Sequence, residues 1–273
     1  MMQKKVITPV EATELNYIVY TPANKTEKEL SNLPLLVYLH GAGERGKNVD
    51  HLYRHAIPKL VESGREYEAI ILCPQCPTDG VWDNYVKKLK ALIDAIVETY
   101  GVQKDRISLT GSSMGGYGTW MTALTYRNFF AAIGPIAGGG MSWRVGTLAK
   151  TPVYVLHGDK DTTVPITCSE LMVNALKNAG GNVRYKVLVG FEHNDGINEA
   201  YEIPTLSNGC FHSVERTLKE CLTFVKNGFN KLKNGSNPKI GDEPLFFRYC
   251  ISILHNTYKE IVKNLRGFFF FST

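Results

Sequence analysis

Between residues 35 and 190 the chain repeats one unit, a short apolar run followed by a stretch with apolar residues at helical spacing. Leu35-Leu36-Val37-Tyr38-Leu39 and Ala69-Ile70-Ile71-Leu72-Cys73 carry no polar alternation at all. A strand of that kind is covered on both faces, which is the condition of a parallel sheet buried between helices. Further strands are expected at Leu15 to Tyr20, Arg106 to Thr110, Ala131 to Ile136, Val153 to His157 and Val183 to Val189. Helical spacing is clearest from Tyr85 to Tyr100, through Leu89, Leu92, Ile93, Ile96 and Val97. Gly116 to Tyr126 and Cys168 to Ala179 read as helices too. Strands alternating with helices predict an α/β fold with a mostly parallel central sheet and helices on both faces. In such sheets the chemistry gathers at the carboxyl ends of the strands.

The rest of the chain bounds the answer. Its 273 residues suit one large domain or two small ones, and 44% apolar with 21% charged residues excludes a disordered or fibrous chain. Residues 1–210 hold 21 basic and 21 acidic residues, leaving 10 against 5 for residues 211–273, so the whole net charge of +5 lies in the tail. A neutral body offers no electrostatic ground for nucleic acid. The longest apolar candidate for a membrane span, Leu245 to Leu254, is too short and carries Arg248. The start has two lysines but no apolar h-region, so a cytoplasmic chain is expected. A catalytic domain over 1–232 and a basic, partly helical tail over 233–273 are expected, with helices at Ser213 to Leu232 and Leu245 to Leu265 around a linker, Asn234 to Pro238. Cys73 and Cys76 match C-x-x-C, but without a helix start or a second ligand pair they read as apolar core. No metal or cofactor is implied.

Gly111-Ser112-Ser113-Met114-Gly115 is a G-x-S-x-G pattern centred on Ser113. The pattern alone is weak, but its setting is specific: a strand precedes it and a helix follows. That passage forms a nucleophile elbow, with Ser113 on a sharp turn above the sheet and the helix dipole aimed at it. An unassisted serine hydroxyl is a poor nucleophile, so a base and an orienting acid should follow in the order Ser, Asp or Glu, His. After Val153 to His157 come Asp159 and Asp161. Asp159 sits in the immediate turn, where Asp bonds loop backbone; Asp161 reaches further and is preferred. After Val183 to Val189 comes His193, three residues beyond the strand. His212 is its rival, without a strand to aim it; His157 precedes the acid and ends a strand.

Tetrahedral intermediates need N–H donors aimed at the oxyanion. Met114, following the nucleophile, supplies one. The other is expected from the loop after the strand Leu35 to Leu39, which runs into His40-Gly41-Ala42-Gly43-Glu44-Arg45-Gly46. Ala42 is assigned, with Gly43 as alternative. A phosphate loop is disfavoured, because neither the Lys-Ser/Thr pair nor a full G-x-G-x-x-G is present.

With Pro74-Gln75-Cys76-Pro77 and Trp82, Thr110 to Tyr117 with Trp120, and His157-Gly158-Asp159-Lys160-Asp161 with Val164-Pro165, these motifs stand in order. Together they resemble α/β-hydrolase esterases of the predicted-peptidase or phospholipase/carboxylesterase type, close to dienelactone hydrolases and feruloyl esterases. The resemblance spans roughly residues 10–205. It implies an α/β-hydrolase fold, a Ser113, His193, Asp161 triad, and cofactor-free hydrolysis of small or saccharide-linked carboxylic esters. Such proteins often carry a Trp shortly after the catalytic His; here Asn194-Asp195-Gly196-Ile197 follows, although Tyr201 is present. Trp82 and Trp143 fall in connecting segments and are candidates to line the acyl or alcohol pocket, whereas Trp120 reads as core. A serine peptidase, an acyltransferase and a non-catalytic binding relative share the same motifs.

Overall fold

A computed structural model of the chain describes residues 1–7 and 15–203. Its sheet has eight strands: β1 (Met2–Ile7), β2 (Tyr17–Pro22), β3 (Leu35–Leu39), β4 (Ile70–Pro74), β5 (Ile107–Ser112), β6 (Ala132–Ile136), β7 (Val153–Gly158) and β8 (Val183–Leu188). Their spatial order is β1-β2-β4-β3-β5-β6-β7-β8. β1 and β2 run antiparallel to their neighbours, and β4 through β8 are parallel.

The uninterrupted apolar runs behave as expected of doubly covered strands. Leu35, Val37, Leu39, Ile70 and Leu72 face one core, and Leu36, Tyr38, Ile71 and Cys73 face the other. Because successive side chains alternate faces, a strand covered on both sides must be apolar at every position. Helices α3 (Trp82–Tyr100), α4 (Met114–Thr125) and α5 (Thr167–Asn178) supply Leu89, Ile93, Trp120, Ala123, Met172 and Leu176 to the first core. The short α1 (Glu27–Leu30) is followed by α2 (Ala56–Glu62), which with α6 (His193–Glu202) covers the other face through Ile57, Leu60, Ile197 and Tyr201.

β1, α1, α2 and α6 have no counterpart in the sequence reading, and α3 starts early. β1 has a largely solvated pattern with Lys4 and Lys5 exposed, so no hydrophobic period marks it. It is an edge strand, and lysines on an edge guard it against pairing with other chains. α3 starts at Trp82 rather than Tyr85, because Val81 precedes it without a side-chain cap to signal the start. Its end is conventional: Gly101 is left-handed at φ 66°, and Val102 N–H bonds the Val97 carbonyl. The tail helices, the linker, the boundary at 232 and His212 lie outside the described residues.

Cys73 and Cys76 are both buried free thiols, and they belong to opposite cores. Burial pushes the Cys76 thiol up to about 11 and the Cys73 thiol higher still, so neither is a reactive thiolate. Among the described residues no helix is long and apolar enough to cross a membrane, and no group of three or more His, Cys, Asp or Glu is placed to hold a metal ion.

Candidate active site

Ser113 leaves β5 and opens α4 with φ 56° and ψ −121°, a conformation L-residues rarely adopt. Such a conformation costs ~1–3 kcal/mol and persists only where the surroundings enforce it. Here Ser113 N–H bonds the Ile136 carbonyl at the end of β6 (3.0 Å), and Tyr117 N–H bonds the Ser113 carbonyl (3.1 Å). The flanking glycines are needed for closeness. A Cβ on Gly111 would stand 2.3 Å from the Gly115 oxygen, and one on Gly115 only 1.9 Å from the Leu39 oxygen. The elbow is thus pressed against the end of β3, where the loop His40 to Gly46 begins.

Asp161 and His193 converge on the serine. His193 Nδ1–H donates to Asp161 Oδ2 (2.6 Å), and Ser113 Oγ–H donates to His193 Nε2 (2.9 Å). Asp161 Oδ1 accepts Thr163 N–H (2.9 Å) and Val164 N–H (2.8 Å), which fix the carboxylate plane. Its side chain is fully buried, so these donors replace water. His193 is the first residue of α6, and its helix is tied down by Tyr201, whose buried hydroxyl donates to Thr110 Oγ1 on β5 (2.9 Å).

Asp159 has a different task. Its Oδ1 accepts Gly190 N–H (2.6 Å), while Asp159 N–H and Lys160 N–H bond the Leu188 and Phe191 carbonyls. These bonds lock the loop after β7 to the loop after β8, and so set the distance from Asp161 to His193.

The oxyanion loop is oriented by a histidine that sequence reasoning passed over. His40 is fully buried, and its Nε2 accepts Cys76 N–H (2.9 Å). The proton must then sit on Nδ1, which donates to the Gly41 carbonyl (2.5 Å). In a trans peptide the next N–H points the opposite way, so Ala42 N–H is turned outward from that bond. Arg45 Nε–H likewise holds the Ala42 carbonyl (3.0 Å) and Arg54 the Gly43 carbonyl (3.1 Å). A Cβ on Gly41 would lie 3.5 Å from Ser113 Cβ, so this loop faces the nucleophile. Neither Ala42 N–H nor Met114 N–H bonds an acceptor among the described residues. Burial holds His40 down at about 4, so it stays neutral at pH 7 and this tautomer persists.

Trp82 does not line a ligand surface. It is wholly buried, its Nε1–H donates to the His40 carbonyl (3.0 Å), and its ring meets the His40 ring edge-on at 5.1 Å between centroids. A Cβ on Gly118 of α4 would stand 2.5 Å from Trp82 Cβ. The expectation of a pocket residue fails because α3 begins earlier than its polar spacing suggests, which turns this ring inward. Trp143 is 79% exposed on the 3-10 segment Ser142–Leu148 and keeps its candidacy. Trp120 is core, as expected. A partly exposed aromatic that sequence reasoning left unassigned is Tyr117, one turn after Ser113, whose hydroxyl meets Cys168.

Comparison with known proteins bears on the fold. Residues 76–203 match the Phospholipase/Carboxylesterase family. A bifunctional acetylxylan esterase/xylanase of Neocallimastix patriciarum is 26% identical over 148 residues, which is 52% of this chain and 21% of that protein. The chain therefore spans about a fifth of that relative's length. The crystal structure of a thermostable esterase superposes with a TM-score of 0.62 at 27% identity, covering 77% of this chain and 62% of that one. A feruloyl esterase module from Clostridium thermocellum, complexed with sinapinate, superposes at 0.60 with 15% identity, over 76% of this chain and 87% of the module. The chain has the α/β-hydrolase fold, and its segment 76–203 is similar to the Phospholipase/Carboxylesterase family.

Proposed function

We propose that the chain is a serine carboxylesterase working through an acyl-enzyme. The observation that carries this reading is the unbroken line of hydrogen bonds from Asp161 through His193 to a strained, partly exposed Ser113. Ser113 Oγ attacks the ester carbonyl as His193 Nε2 takes its proton. His193 then gives that proton to the leaving alcohol. Asp161 keeps the imidazole in the Nδ1–H tautomer and offsets its charge once protonated. Ala42 and Met114 N–H groups bind the oxyanion, a role in which loss of one donor costs about 10²–10³ in rate. Water, deprotonated by His193, attacks the acyl-enzyme carbonyl, and Ser113 leaves with the proton returned to it.

The substrates are small or saccharide-linked carboxylic esters. The relatives named for acetylxylan and feruloyl esters support that class. The exposed Trp143 indole offers a stacking face for an aromatic acyl group or a sugar ring. The test is hydrolysis of p-nitrophenyl acetate and butyrate, with fluorophosphonate labelling. Wild type should turn over and label, whereas Ser113→Ala should do neither and His193→Ala should not turn over. A folded wild type that does neither overturns the reading.

A further inference from the structure

Asp161 touches a second histidine. His157, at the end of β7, has no exposed surface, and its Nε2 lies 3.2 Å from Asp161 Oδ2, the oxygen that also receives His193. The same Nε2 lies 2.8 Å from the Val164 carbonyl, and Nδ1 lies 2.7 Å from Ser169 Oγ. Ser169 Oγ is in turn 2.9 Å from the Gly138 carbonyl. A carbonyl and a carboxylate can only accept, so Nε2 carries a proton, directed at the Val164 carbonyl with Asp161 Oδ2 close beside it. We propose that His157 is a positioning residue for the acid, holding Asp161 Oδ2 with a second N–H and thereby setting how strongly Asp161 draws on His193.

This inference rests on the esterase reading of the triad. Its physics is simple. A carboxylate oxygen that accepts two N–H donors is less basic than one that accepts a single donor. Relieved of His157, Asp161 would pull harder on His193 Nδ1–H and stabilise the imidazolium. His193 would then protonate at higher pH, and the neutral base that catalysis needs would be scarcer in mild acid. The carboxylate would also gain freedom to rotate, since Oδ1 alone would be held by backbone.

The titratable groups facing His157 are Asp161 from its own loop and His193 from α6, with Tyr117 of α4 facing Asp161. Burial is the largest influence on His157 and lowers its affinity for a second proton. The neutral ring with its proton on Nε2 is therefore the working form, and Ser169 turns its one hydroxyl proton from the Gly138 carbonyl to Nδ1. The sequence carries the signal in His157-Gly158-Asp159-Lys160-Asp161, where the histidine stands four residues before the acid.

The experiment compares pH profiles of kcat/KM for p-nitrophenyl acetate. His157→Asn keeps a polar atom toward Ser169 but withdraws the donor from Asp161. It should lower kcat about tenfold, leave KM nearly unchanged, and move the acid limb upward by about half a pH unit or more. His157→Gln, whose Nε2 can reach Asp161, should restore the limb toward wild type. A merely structural histidine would lower the urea midpoint in both variants without moving the limb. An unmoved limb in folded His157→Asn overturns the proposal. If that variant does not fold, ¹⁵N-histidine NMR of the wild type decides: protonated Nε2 with bare Nδ1 supports it, and the reverse overturns it. A wild type that turns over and labels while failing these tests refutes only the role of His157. A folded wild type that does neither refutes the triad, and this role with it.

Discussion

Trp82→Phe separates an indole that shapes the oxyanion loop from one that touches substrate. The variant keeps most of the ring but deletes the Nε1–H that donates to the His40 carbonyl at 3.0 Å. That carbonyl belongs to a residue with no exposed surface, so it is left without a partner at ~1–3 kcal/mol. The smaller ring also leaves a void of ~40 Å³, worth ~1 kcal/mol. Together these predict a loss of ~2–4 kcal/mol, or a urea midpoint lower by about 1–2 M at a slope of about 2 kcal/mol/M. His40 orients Gly41 and Ala42, so slack in its carbonyl loosens the oxyanion donor. The kinetic signature should be a kcat reduced about tenfold with KM and acyl-chain preference unchanged, because only transition-state binding is affected. Urea melts and steady-state kinetics on acetate, butyrate and a longer ester read both effects. A shift in chain-length preference at constant kcat would show that Trp82 meets substrate and would refute the reasoning.

Asp161→Asn should fold, since its remaining oxygen can still accept Thr163 and Val164 N–H, and should lose about 10⁴ in kcat by presenting His193 with the wrong partner. Gly115→Ala should fail to give soluble enzyme, because its Cβ meets only backbone at 1.9–2.8 Å, whereas Gly43→Ala, with nothing within 4 Å, should express and melt like wild type. Burial holds His40 at about 4 against 6.5, so the unfolded chain takes up a proton that the fold refuses. Stability present above pH 6.5 should therefore drain as pH falls toward 4, by up to ~3 kcal/mol from this group, read as urea midpoints across that range. Glu44 runs the other way: burial pushes its carboxyl up, so its contribution is present below the ordinary carboxylate range and lost as pH rises. Glu44→Gln should thus raise the urea midpoint at pH 7 and lose that advantage at pH 4.

What could be read beforehand divides along a physical line. β3 and β4 were legible because doubly covered strands admit no polar residue, and the elbow because G-x-S-x-G stood between a strand and a helix. Asp161 was separable from Asp159 because a turn Asp and a reaching Asp differ by two residues of loop, and the structure gives them those two tasks. Edges and helix starts were hidden. β1 is solvated along most of its length and so has no apolar period. α6 begins His193-Asn194-Asp195-Gly196, poor helix formers whose helicity comes from Ile197, Ala200 and Tyr201 packing on the sheet. Trp82 and His40 were misassigned or passed over for one reason: their roles lie in single hydrogen bonds across long stretches of sequence, and no local pattern encodes a partner 36 or 42 residues away.

A second set of contacts runs in a loop around the nucleophile and its partners. Ser113 N–H is held by the Ile136 carbonyl, and the corner beyond it carries Ala137 at φ 47° and Gly138 packed on Gly116. Gly138 is met by Ser169, Ser169 by His157, His157 by Asp161, Asp161 by His193, and His193 by Ser113 again. Two unfavourable backbone conformations, Ser113 and Ala137, lie on this circuit, together storing ~2–6 kcal/mol. Each is held by a bond from a neighbouring strand, Ala137 N–H by the Leu156 carbonyl at 3.0 Å. Substitutions at His157 or Ser169, neither of which touches Ser113, should therefore register at its hydroxyl through Asp161 and His193.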